Sequence, residues 1–494
     1  MRAWKQVRGE LAGSRQRALT SMRSAGDTQR RLLAEIIQGN RATVFGRSHR
    51  FSDIRDEQDF RQAVPLHTYE DFAPYIERMA AGEDAQLTSE APIAFERTGG
   101  SISGPKLIPY TPRGLRAIQR GVHAWLEDLL MHRPGIEKGR VYWSISPATR
   151  QTELTASGLP IGLPSDAAYF GESLETPLSS LMAVAPEVGR IPSIEAWRAA
   201  TLDALRGADD LTLISVWSPT FLLDLLENLP GDPTALWPLL DTISCWTSAS
   251  AAPFARRLQS LFPGVQIQGK GLLATEGVIT IPLCDQPYPA LAVESGYYEF
   301  IDAVGTSCVC TEVITGAEYE VVLTTHSGLY RYRLGDRVRI RGWIGEAPAL
   351  EFIGRGASCS DLCGEKLGEP FVNAQLESIE GFRLLAPAPN PPLRYILYLD
   401  AGEHGEDSAR DLARRLDEGL RANPQYEYAA RLGQLAPVDS VRVHRPLERY
   451  HRYLSGKGQR LGDIKAPGFS SASEWWRVFH EHETLSVRSG DRRR

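Results

Sequence analysis

The sequence lacks an apolar run long enough to cross a bilayer, for which about 18 consecutive apolar residues are needed. Its longest apolar windows, such as Phe221-Leu-Leu-Asp-Leu-Leu, are interrupted by charged residues. The opening Met1-Arg-Ala-Trp-Lys leads into no apolar segment of the kind that forms a secretory signal peptide. We therefore expect a cytoplasmic protein with no membrane partner.

Cysteine is also scarce, with six residues in a chain of 494. No two of them are spaced as Cys-x-x-Cys, and no His-x-x-x-His pair is present, so the common zinc-binding patterns are missing. Cys308 and Cys310 stand in a strand-like run, where alternation places both side chains on one face. Because free cysteine tends to be buried, we expect these two to be core thiols.

The net charge of the chain argues against a nucleic-acid partner. Asp and Glu number 61 against 55 Lys and Arg, which gives a net charge of −6. A mildly acidic chain has no overall field that attracts a polyanion, so we expect no nucleic-acid partner. An anion of the size of ATP must then be held by local groups. With 42% apolar and 23% charged residues, the composition is typical of a soluble globular protein.

The pattern of apolar residues divides the chain into three regions. Residues 1–90 carry many charges and space their apolar residues by three or four, which predicts helices. From 91 to about 350, short β-rich runs alternate with helical patterns, which predicts α/β layers joined by crossover helices. After about 355, shorter elements predict a small α+β domain, and Gly354-Arg-Gly-Ala-Ser suits a flexible joint.

These regions set the predicted boundaries. The large N-terminal domain is predicted at 1–353, a hinge at 354–361 and the small C-terminal domain at 362–494. Within them, the patterns predict strands at 141–146, 211–217 and 394–400, and helices at 221–229, 372–379 and 408–420.

The segment 98–106 reads Thr-Gly-Gly-Ser-Ile-Ser-Gly-Pro-Lys. Its glycines let backbone N–H groups come close to a phosphate, and its hydroxyls add further donors. Lys106 supplies a positive charge at the rim. It is not a Walker loop, because the GxxxxGK[ST] pattern is absent. A phosphate-binding loop and a plain Gly/Ser-rich surface loop both remain open on spacing alone.

Two further segments carry acidic groups between glycines. In Gly271-Leu-Leu-Ala-Thr275-Glu276-Gly, the hydroxyl suits an α-phosphate and the carboxylate suits Mg²⁺. Taken alone, this segment is better explained as a turn before the next strand, Val278-Ile-Thr-Ile. In the run 328–337, alternation places Tyr330, Tyr332 and Leu334 on one face and the two arginines between them on the other. We expect this strand to stop at Gly335. Asp336 is then left at its end, where it could accept hydrogen bonds from a ribose, or simply form a β-turn.

A fourth segment, 457–467, places Lys465 on a loop flanked by glycines near the end of the small domain. A lysine in such a loop could be brought to a distant site by domain motion, and a solvated surface lysine is the simpler alternative. In this order, the four segments resemble the core motifs of the adenylate-forming superfamily, which includes acyl-CoA ligases, luciferases and peptide-synthetase adenylation domains.

Within that superfamily, the chain resembles the Gretchen-Hagen family of acyl-acid amido synthetases over nearly its full length, in a short, bacterial-type form. The supporting segments are Asn40-Arg-Ala-Thr-Val-Phe-Gly46, 64–71, 215–223, 324–333, Gly364-Glu-Lys366-Leu-Gly-Glu369 and 462–467. Two departures stand out. Ser103 occupies a position that is usually glycine, and Leu272 and Leu273 replace an aromatic residue before the Thr-Glu pair.

The resemblance implies a luciferase-like α/β domain of several sheets, followed by a small mobile α+β domain. It implies a ligase that uses ATP and Mg²⁺ to adenylate a carboxylic acid, releasing pyrophosphate, and then transfers the acyl group to an amine or amino acid, releasing AMP. The implied roles are phosphate binding by Thr98, Gly99, Gly100, Ser101, Ser103 and Lys106, α-phosphate binding and catalysis by Thr275, Mg²⁺ binding by Glu276, ribose binding by Asp336 and Arg355, and catalysis by Lys366 and Lys465.

Other features leave alternatives open. Tyr142, Trp143 and Trp217 are strand-borne aromatic residues that could line an acyl pocket or simply pack in the core. His326 precedes the Tyr-Arg motif and is more often structural than a general base. An acyl-CoA ligase and a nucleotide-binding scaffold without activity are the competing functions. We expect a monomer or a weak homodimer.

Overall fold

The computed structural model of this chain describes residues 2–98, 106–143, 153–163, 166–229, 231–356 and 359–480. The chain forms two compact units. The first comprises 1–217, 229–245 and 264–352, and the second comprises 218–228, 246–263 and 353–494. Two short stretches from the middle of the sequence therefore belong to the same unit as the C-terminal region.

The helices form where apolar residues recur every three or four positions. On the first helix, for example, Trp4, Val7 and Leu11 are buried while the intervening charged residues are exposed. In chain order the helices are α1 (Arg2–Leu11), α2 (Ser14–Arg23), α3 (Ala25–Asn40), α4 (Val44–Ser48), α5 (Glu57–Ala63), α6 (Tyr69–Ala80), α7 (Pro112–His132), α8 (Glu172–Leu181), α9 (Ile194–Arg206), α10 (Pro219–Glu227), α11 (Pro233–Leu236), α12 (Ala252–Leu261), α13 (Glu369–Leu376), α14 (Glu406–Leu420), α15 (Pro424–Arg431), α16 (Pro446–Gly456) and α17 (Trp475–His480).

The strands are short, apart from two long neighbours near the end of the first unit. In chain order they are β1 (Ala94–Arg97), β2 (Leu107–Tyr110), β3 (Arg140–Trp143), β4 (Glu153–Leu154), β5 (Pro160–Ile161), β6 (Leu211–Ser215), β7 (Thr242–Cys245), β8 (Gln266–Gly269), β9 (Leu273–Ala274), β10 (Gly277–Val278), β11 (Thr280–Ile281), β12 (Ala290–Leu291), β13 (Tyr297–Ile301), β14 (Ser307–Val309), β15 (Glu318–Thr324), β16 (Tyr332–Ile344), β17 (Ala347–Arg355), β18 (Cys359–Ser360), β19 (Leu367–Gly368), β20 (Arg383–Pro387), β21 (Tyr395–Asp400) and β22 (Asp439–Val443).

Several sheets build the first unit. A seven-stranded sheet has the order β11-β12-β17-β16-β15-β13-β14. A four-stranded sheet has the order β3-β6-β7-β8, and all of its pairs are parallel. The hairpin of β1 and β2 belongs to another four-stranded sheet, β2-β1-β5-β4. Alternation of strands and helices thus yields the layered α/β architecture that the sequence predicts.

Helix α7 is the central support of the first unit. It begins directly after β2, because the Thr111 side chain accepts a hydrogen bond from the Gly114 N–H and Pro112 occupies the first turn. Two apolar clusters contain residues of this helix. One includes Ile118 and Ala124 with the seven-stranded sheet, and the other includes Leu126, Leu129 and Leu130 with α1, α8, β3 and β6.

The second unit contains the sheet β20-β21-β22, in which β20 and β21 are antiparallel and β21 and β22 are parallel. Its apolar core joins this sheet to α13, α14 and α15. The two inserted stretches pack into this unit. Thr220 on α10 lies 3.2 Å from Nε2 of buried His451 on α16, and Arg257 on α12 forms an ion pair with Glu403.

The predicted elements are confirmed with shifted ends. Strand patterns at 141–146, 211–217 and 394–400 correspond to β3, β6 and β21, although 144–146 lie outside the described residues. Helix patterns at 221–229, 372–379 and 408–420 correspond to α10, α13 and α14. Cys310 is buried in the core, as predicted, whereas Cys308 is only half-buried. In the part of the chain that is described, no helix is both long and apolar enough to traverse a bilayer.

Candidate active site

The predicted phosphate loop connects the two strands of a hairpin. Arg97 of β1 pairs with Leu107 of β2, and the ladder extends one residue further, with the Thr98 N–H donating to the Lys106 carbonyl at 2.9 Å. The Lys106 N–H in turn donates to Oγ1 of Thr98 at 3.2 Å. These two bonds close the base of the loop. Gly99, Gly100, Ser101 and Ser103 lie outside the described residues.

Lys106, at the base of this loop, is held in place by Tyr69 from α6. Its Nζ lies 5.2 Å from the centre of the Tyr69 ring, a cation–π geometry. The same tyrosine accepts a hydrogen bond from the Leu107 N–H at 2.9 Å. One side chain therefore fixes both the start of β2 and the ammonium group that the sequence predicts to face a phosphate.

Thr275 and Glu276 form the tight turn between β9 and β10, in which Ala274 pairs with Gly277. Tyr110, at the end of β2, donates its hydroxyl to the Thr275 carbonyl at 2.9 Å. Tyr332, at the start of β16, donates its hydroxyl to Oε1 of Glu276 at 3.1 Å. Two tyrosines thus connect three segments that are far apart in the sequence, and each of these segments carries one of the predicted motifs.

Asp336 does not lie at the end of its strand, where the sequence predicts it. The sequence predicts a strand that stops at Gly335, but β16 continues to Ile344. Gly335 has φ +78, and the pairing with β15 jumps from Arg333 opposite Val322 to Arg337 opposite Glu320. Four steps along β16 thus match two along β15, which is a β-bulge. Glycine in the left-handed region suits a bulge as well as a turn, so the sequence signal was ambiguous.

The bulge places Asp336 within the strand, where the residue is only 3% exposed. The predicted faces also differ in part. Tyr330, Tyr332 and Leu334 are buried as expected, but Arg331 is buried as well and pairs with Glu299. Arg331 lies before β16 begins and has φ +47, so strand alternation does not apply to it. Arg355, the second predicted ribose ligand, is the half-buried last residue of β17.

The three aromatic residues predicted for an acyl pocket do not share one surface. Tyr142 and Trp143 are neighbours on β3, so their side chains point to opposite faces of the sheet. Trp143 packs edge-on against Phe170, with ring centres 5.5 Å apart. Trp217 lies just beyond β6 and faces the ammonium group of Lys270 at 5.0 Å. The sequence did not predict a role for Lys270, because the groups that surround it, among them Ser215 and Trp217, are distant in the sequence.

Lys366 lies in the second unit, in the turn between β18 and β19. It is exposed and has φ +46. Its neighbour Glu365 is fully buried and accepts hydrogen bonds from the Tyr395 hydroxyl and from the N–H groups of Leu362 and Cys363. Burial opposes ionisation of Glu365, but these hydrogen bonds outweigh it and lower its pKa. The buried carboxylate anchors the turn that presents Lys366.

Lys465 lies elsewhere in the second unit, just after a short 3-10 helix. The residue is exposed, while its neighbours Ile464 and Ala466 are buried. The following segment is attached to β20, because the Leu385 N–H donates to the Gly468 carbonyl at 2.8 Å and the Ser470 N–H to the Leu385 carbonyl at 2.9 Å. Lys465 is therefore carried on a short, anchored loop.

His326 is buried behind the start of α7, where its carbonyl accepts a hydrogen bond from the Thr111 hydroxyl at 3.1 Å. Burial, with Arg120 and Arg113 nearby, lowers the pKa of His326 from 6.5 to about 4. The imidazole is neutral at pH 7. Its backbone role at the helix start favours the structural interpretation of this residue.

Two family models match the sequence. The GH3 family N-terminal domain matches residues 15–232, and the GH3 family central domain matches residues 290–355. Together they span more than half of the chain. The first match contains the loop 98–106, and the second contains Asp336 and Arg355.

Curated relatives cover most of the chain at low identity. A probable indole-3-acetic acid-amido synthetase, GH3.12 of Oryza sativa subsp. japonica, is 25% identical and aligns with 90% of this chain and 91% of its own length. The jasmonoyl–L-amino acid synthetase JAR6 of Nicotiana attenuata is 22% identical, with coverage of 90% and 91%. Both are plant proteins, so they give no support to the bacterial-type form expected from the sequence.

Solved structures share the fold. The AtGH3.15 acyl acid amido synthetase in complex with 2,4-DB has a TM-score of 0.81 at 19% identity and covers 94% of this chain and 95% of that chain. A 2-hydroxyisobutyryl-CoA ligase in the postadenylation state has a TM-score of 0.59 at 13% identity, covering 94% and 91%. The predicted fold class, the luciferase-like fold of adenylate-forming enzymes, is confirmed.

Proposed function

We propose that this chain, which belongs to the GH3 family, is a ligase that activates a carboxylic acid with ATP and joins the acyl group to an amine or amino acid. The observation that carries the proposal is that the Thr275-Glu276 turn is contacted by Tyr110 of β2, the strand that follows the loop 98–106, and by Tyr332 of β16. The names of the relatives, an indole-3-acetic acid-amido synthetase and a jasmonoyl–L-amino acid synthetase, agree with it. We keep the cytoplasm as its predicted location.

In the first half-reaction, the substrate carboxylate attacks the α-phosphorus of ATP and pyrophosphate leaves. Two anions must approach, so the enzyme's main task is to place positive charge and hydrogen-bond donors around the phosphates. Two unit charges 4 Å apart interact by about 4 kcal/mol at an effective dielectric constant of 20. We assign phosphate contacts to the loop 98–106 and to the Thr275 hydroxyl. Asp336 and Arg355 are assigned to the ribose.

Glu276 is a suitable Mg²⁺ ligand, because its side chain offers a carboxylate oxygen. It is a carboxylate in a turn, 8% exposed, and its Oε1 is oriented by Tyr332. Bound Mg²⁺ would neutralise phosphate charge beside this carboxylate. The Tyr332 hydroxyl keeps Oε1 in place, and the Tyr110 hydroxyl keeps the backbone of Thr275 in place. Both tyrosines orient the turn and need not touch substrate.

We assign Lys366 and Lys465 to the first half-reaction, adenylation, as the cations supplied by the second unit.

In the second half-reaction, an amine attacks the acyl-adenylate carbonyl and AMP leaves. The names of the two relatives refer to indole-3-acetic acid and to jasmonoyl–L-amino acid products. For this chain we propose the class alone: a small carboxylic acid and an amine or amino acid.

The test is a coupled assay. The purified protein is incubated with ATP, Mg²⁺ and a panel of carboxylic acids, with either mixed amino acids or CoA. Pyrophosphate release and product mass are then measured. We expect acid-dependent release and an amide product. A thioester without an amide would instead establish an acyl-CoA ligase, and ATP binding without release would establish a nucleotide-binding scaffold.

Lys465→Ala tests one assigned role. We expect acid-dependent pyrophosphate release to slow by at least about tenfold, a loss of about 1.4 kcal/mol, because a cation beside the phosphates is removed. ATP affinity should change little. The matched control is Lys457→Ala, since Lys457 is an exposed lysine paired with Glu474 at 2.5 Å. Equal rates in the two variants would remove Lys465 from the site.

A further inference from the structure

A polar row crosses one end of the parallel sheet β3-β6-β7-β8. Trp143, Ser215, Ser244 and Gln268 stand in register across the four strands. In a parallel sheet, residues in register point to the same face. All four lie at or near the carboxyl ends of their strands, which is the edge where ligands bind in α/β sheets.

Lys270 extends this row by two residues. The ladder continues past β8, because the Lys270 N–H donates to the Cys245 carbonyl at 3.0 Å. Alternation then places the side chain of Lys270 on the same face as Gln268. Its Nζ donates to Oγ of Ser215 at 2.7 Å. A serine and a lysine from different strands are thereby joined at the sheet edge.

Two tryptophans flank this ammonium group. Nζ lies 5.1 Å from the ring centre of Trp125, which comes from α7, and 5.0 Å from that of Trp217. Trp125 is itself fixed, because its indole N–H donates to Oε1 of Gln268 at 2.9 Å. Ring faces stabilise a cation without neutralising its charge. The Ser215 hydroxyl and the two rings thus hold the Lys270 ammonium group at a fixed point, and the residue stays partly accessible.

A second observation points to a ligand at the same place. Ser244 is fully buried beside Ser215, and within the described residues no hydrogen-bond partner reaches its Oγ. A buried hydroxyl without a partner is costly, and a bound polar group at this place would supply the missing hydrogen bond. One face of the sheet edge therefore carries the Lys270 ammonium group and the hydroxyls of Ser215 and Ser244. The indole rings of two tryptophans lie beside the ammonium group.

We propose that Lys270, Ser215, Ser244, Trp125 and Trp217, here called the edge subsite, bind the carboxylate of a substrate. The proposal rests on the proposed function, which requires a carboxylic acid. The Lys270 ammonium binds the carboxylate, and the indole faces contact the apolar part of the molecule. A carboxylate can come from two sources, the acid to be activated or an amino acid that accepts the acyl group.

The chain places the edge subsite close to the predicted phosphate site. Lys270 precedes Thr275 by five residues, and five residues span at most about 17 Å. A molecule held at Lys270 thus lies within reach of the Thr275-Glu276 turn, which β2 contacts through Tyr110. This proximity is what a substrate of the adenylation or transfer step requires.

The test is binding by calorimetry, independent of turnover. The ligand panel contains acetate, benzoate, indole-3-acetate, glycine and L-glutamate, with indole-3-acetamide and benzamide as uncharged counterparts. We expect the wild type to bind at least one carboxylate and to bind its amide at least tenfold more weakly. Lys270→Met should weaken the carboxylate by at least tenfold, and Lys270→Arg should restore most of the affinity. Binding of the acids or of the amino acids identifies the source.

The matched control is Lys138→Met, a lysine exposed on the surface of the same unit. Thermal unfolding checks that all variants are folded, and Lys270→Gln replaces Lys270→Met if the latter is not. The edge subsite is overturned if no carboxylate on the panel binds the wild type, or if the Lys270 variants bind as tightly as Lys138→Met. Binding without pyrophosphate release from any acid would refute the proposed function alone.

Discussion

At the scale of single residues, the most unusual pair is Arg331 and Glu299. The guanidinium donates to both carboxylate oxygens at 2.9 Å, and the two side chains are 7% and 1% exposed. Arg331 also donates to the carbonyls of Arg61 and Val64. One arginine thus links the N-terminal helical segment to the seven-stranded sheet. This role explains why an arginine in the Tyr-Arg-Tyr-Arg run is buried.

We predict that Glu299→Gln lowers the free energy of unfolding by about 3–5 kcal/mol, because it leaves the buried Arg331 charge uncompensated. Urea unfolding measures the change. Glu320→Gln is the matched control, since Glu320 pairs with Arg333 on the same sheet but Arg333 is 46% exposed. That control should cost no more than about 1 kcal/mol. Similar losses in both variants would contradict the structural role of Arg331.

We predict that His326 makes the free energy of unfolding depend on pH. Its pKa is lowered from 6.5 to about 4 by burial and by Arg120 and Arg113. Between these values the unfolded chain binds a proton that the folded chain does not. Stability therefore falls as pH drops from about 6.5 to about 4, by up to about 3 kcal/mol from this group.

Chemical unfolding at pH 7 and pH 4.5 tests this dependence. His326→Gln should lose less stability between these two values than the wild type, and His444→Gln, at an exposed position, should behave as the wild type. An unchanged pH dependence in His326→Gln would show that this histidine is not the source.

The sequence predicts a site residue where that residue belongs to a recognisable motif. It does not predict a site residue whose role depends only on packing against distant residues. Thr275, Glu276 and Lys106 stand in recognisable segments. Lys270 does not, because its significance depends on Ser215, Trp125 and Trp217, which are distant in the sequence. Such groupings are set by strand register and helix placement, which no local pattern encodes.

At the scale of elements, the bulge in β16 decides where Asp336 lies. Local patterns predicted the strand, and a glycine in its middle was taken for its end. The actual outcome depends on β15, which pairs with β16 on both sides of the bulge. A strand with a partner on each side of an irregularity continues through it. That partner is invisible in the sequence of the segment itself.

We predict that Gly335→Ala destabilises the protein by about 1–2 kcal/mol, because φ +78 is unfavourable for a residue with a Cβ. Space is not the cause, since an added Cβ would meet nothing within 4 Å. Gly342→Ala, in the same strand and equally open but without a positive φ, is the control and should cost little. Asp336 should also shift, so ATP affinity should fall in Gly335→Ala alone.

Unfolding and ATP-binding measurements on Gly335→Ala and Gly342→Ala test this prediction. Equal stability in both would mean that the bulge is not strained by a side chain. A loss of stability in Gly335→Ala without any loss of ATP affinity would separate the bulge from the assignment of Asp336 to the ribose.

At the scale of the whole molecule, the second unit is discontinuous. Helices α10 and α12 belong to it, although the sequence places them in the middle of the first unit. The sequence predicted a single division near residue 353, because composition changes there. It could not predict that 218–228 and 246–263 join the later region, since that depends on packing such as Thr220 against His451. The predicted hinge at 354–361 stays a prediction.

Hydrogen exchange on the intact protein tests the assignment of these helices. As denaturant is added, we predict that α10 and α12 lose protection together with α16 and β20, and not with β6 and β7, which flank them in the chain. Cooperative units follow packing more than sequence order. If α10 instead opened with β6, the two inserted stretches would belong energetically to the first unit.

The discontinuity of the second unit also limits how such proteins can be recombined. A gene fusion that replaced everything after residue 353 with the corresponding part of a relative would keep α10 and α12 from one parent and take α16 from the other. Their shared core would then combine side chains that were never selected together. A chimera of this kind would have to exchange three stretches of the gene, 218–228, 246–263 and the part after 353, to transfer the second unit intact.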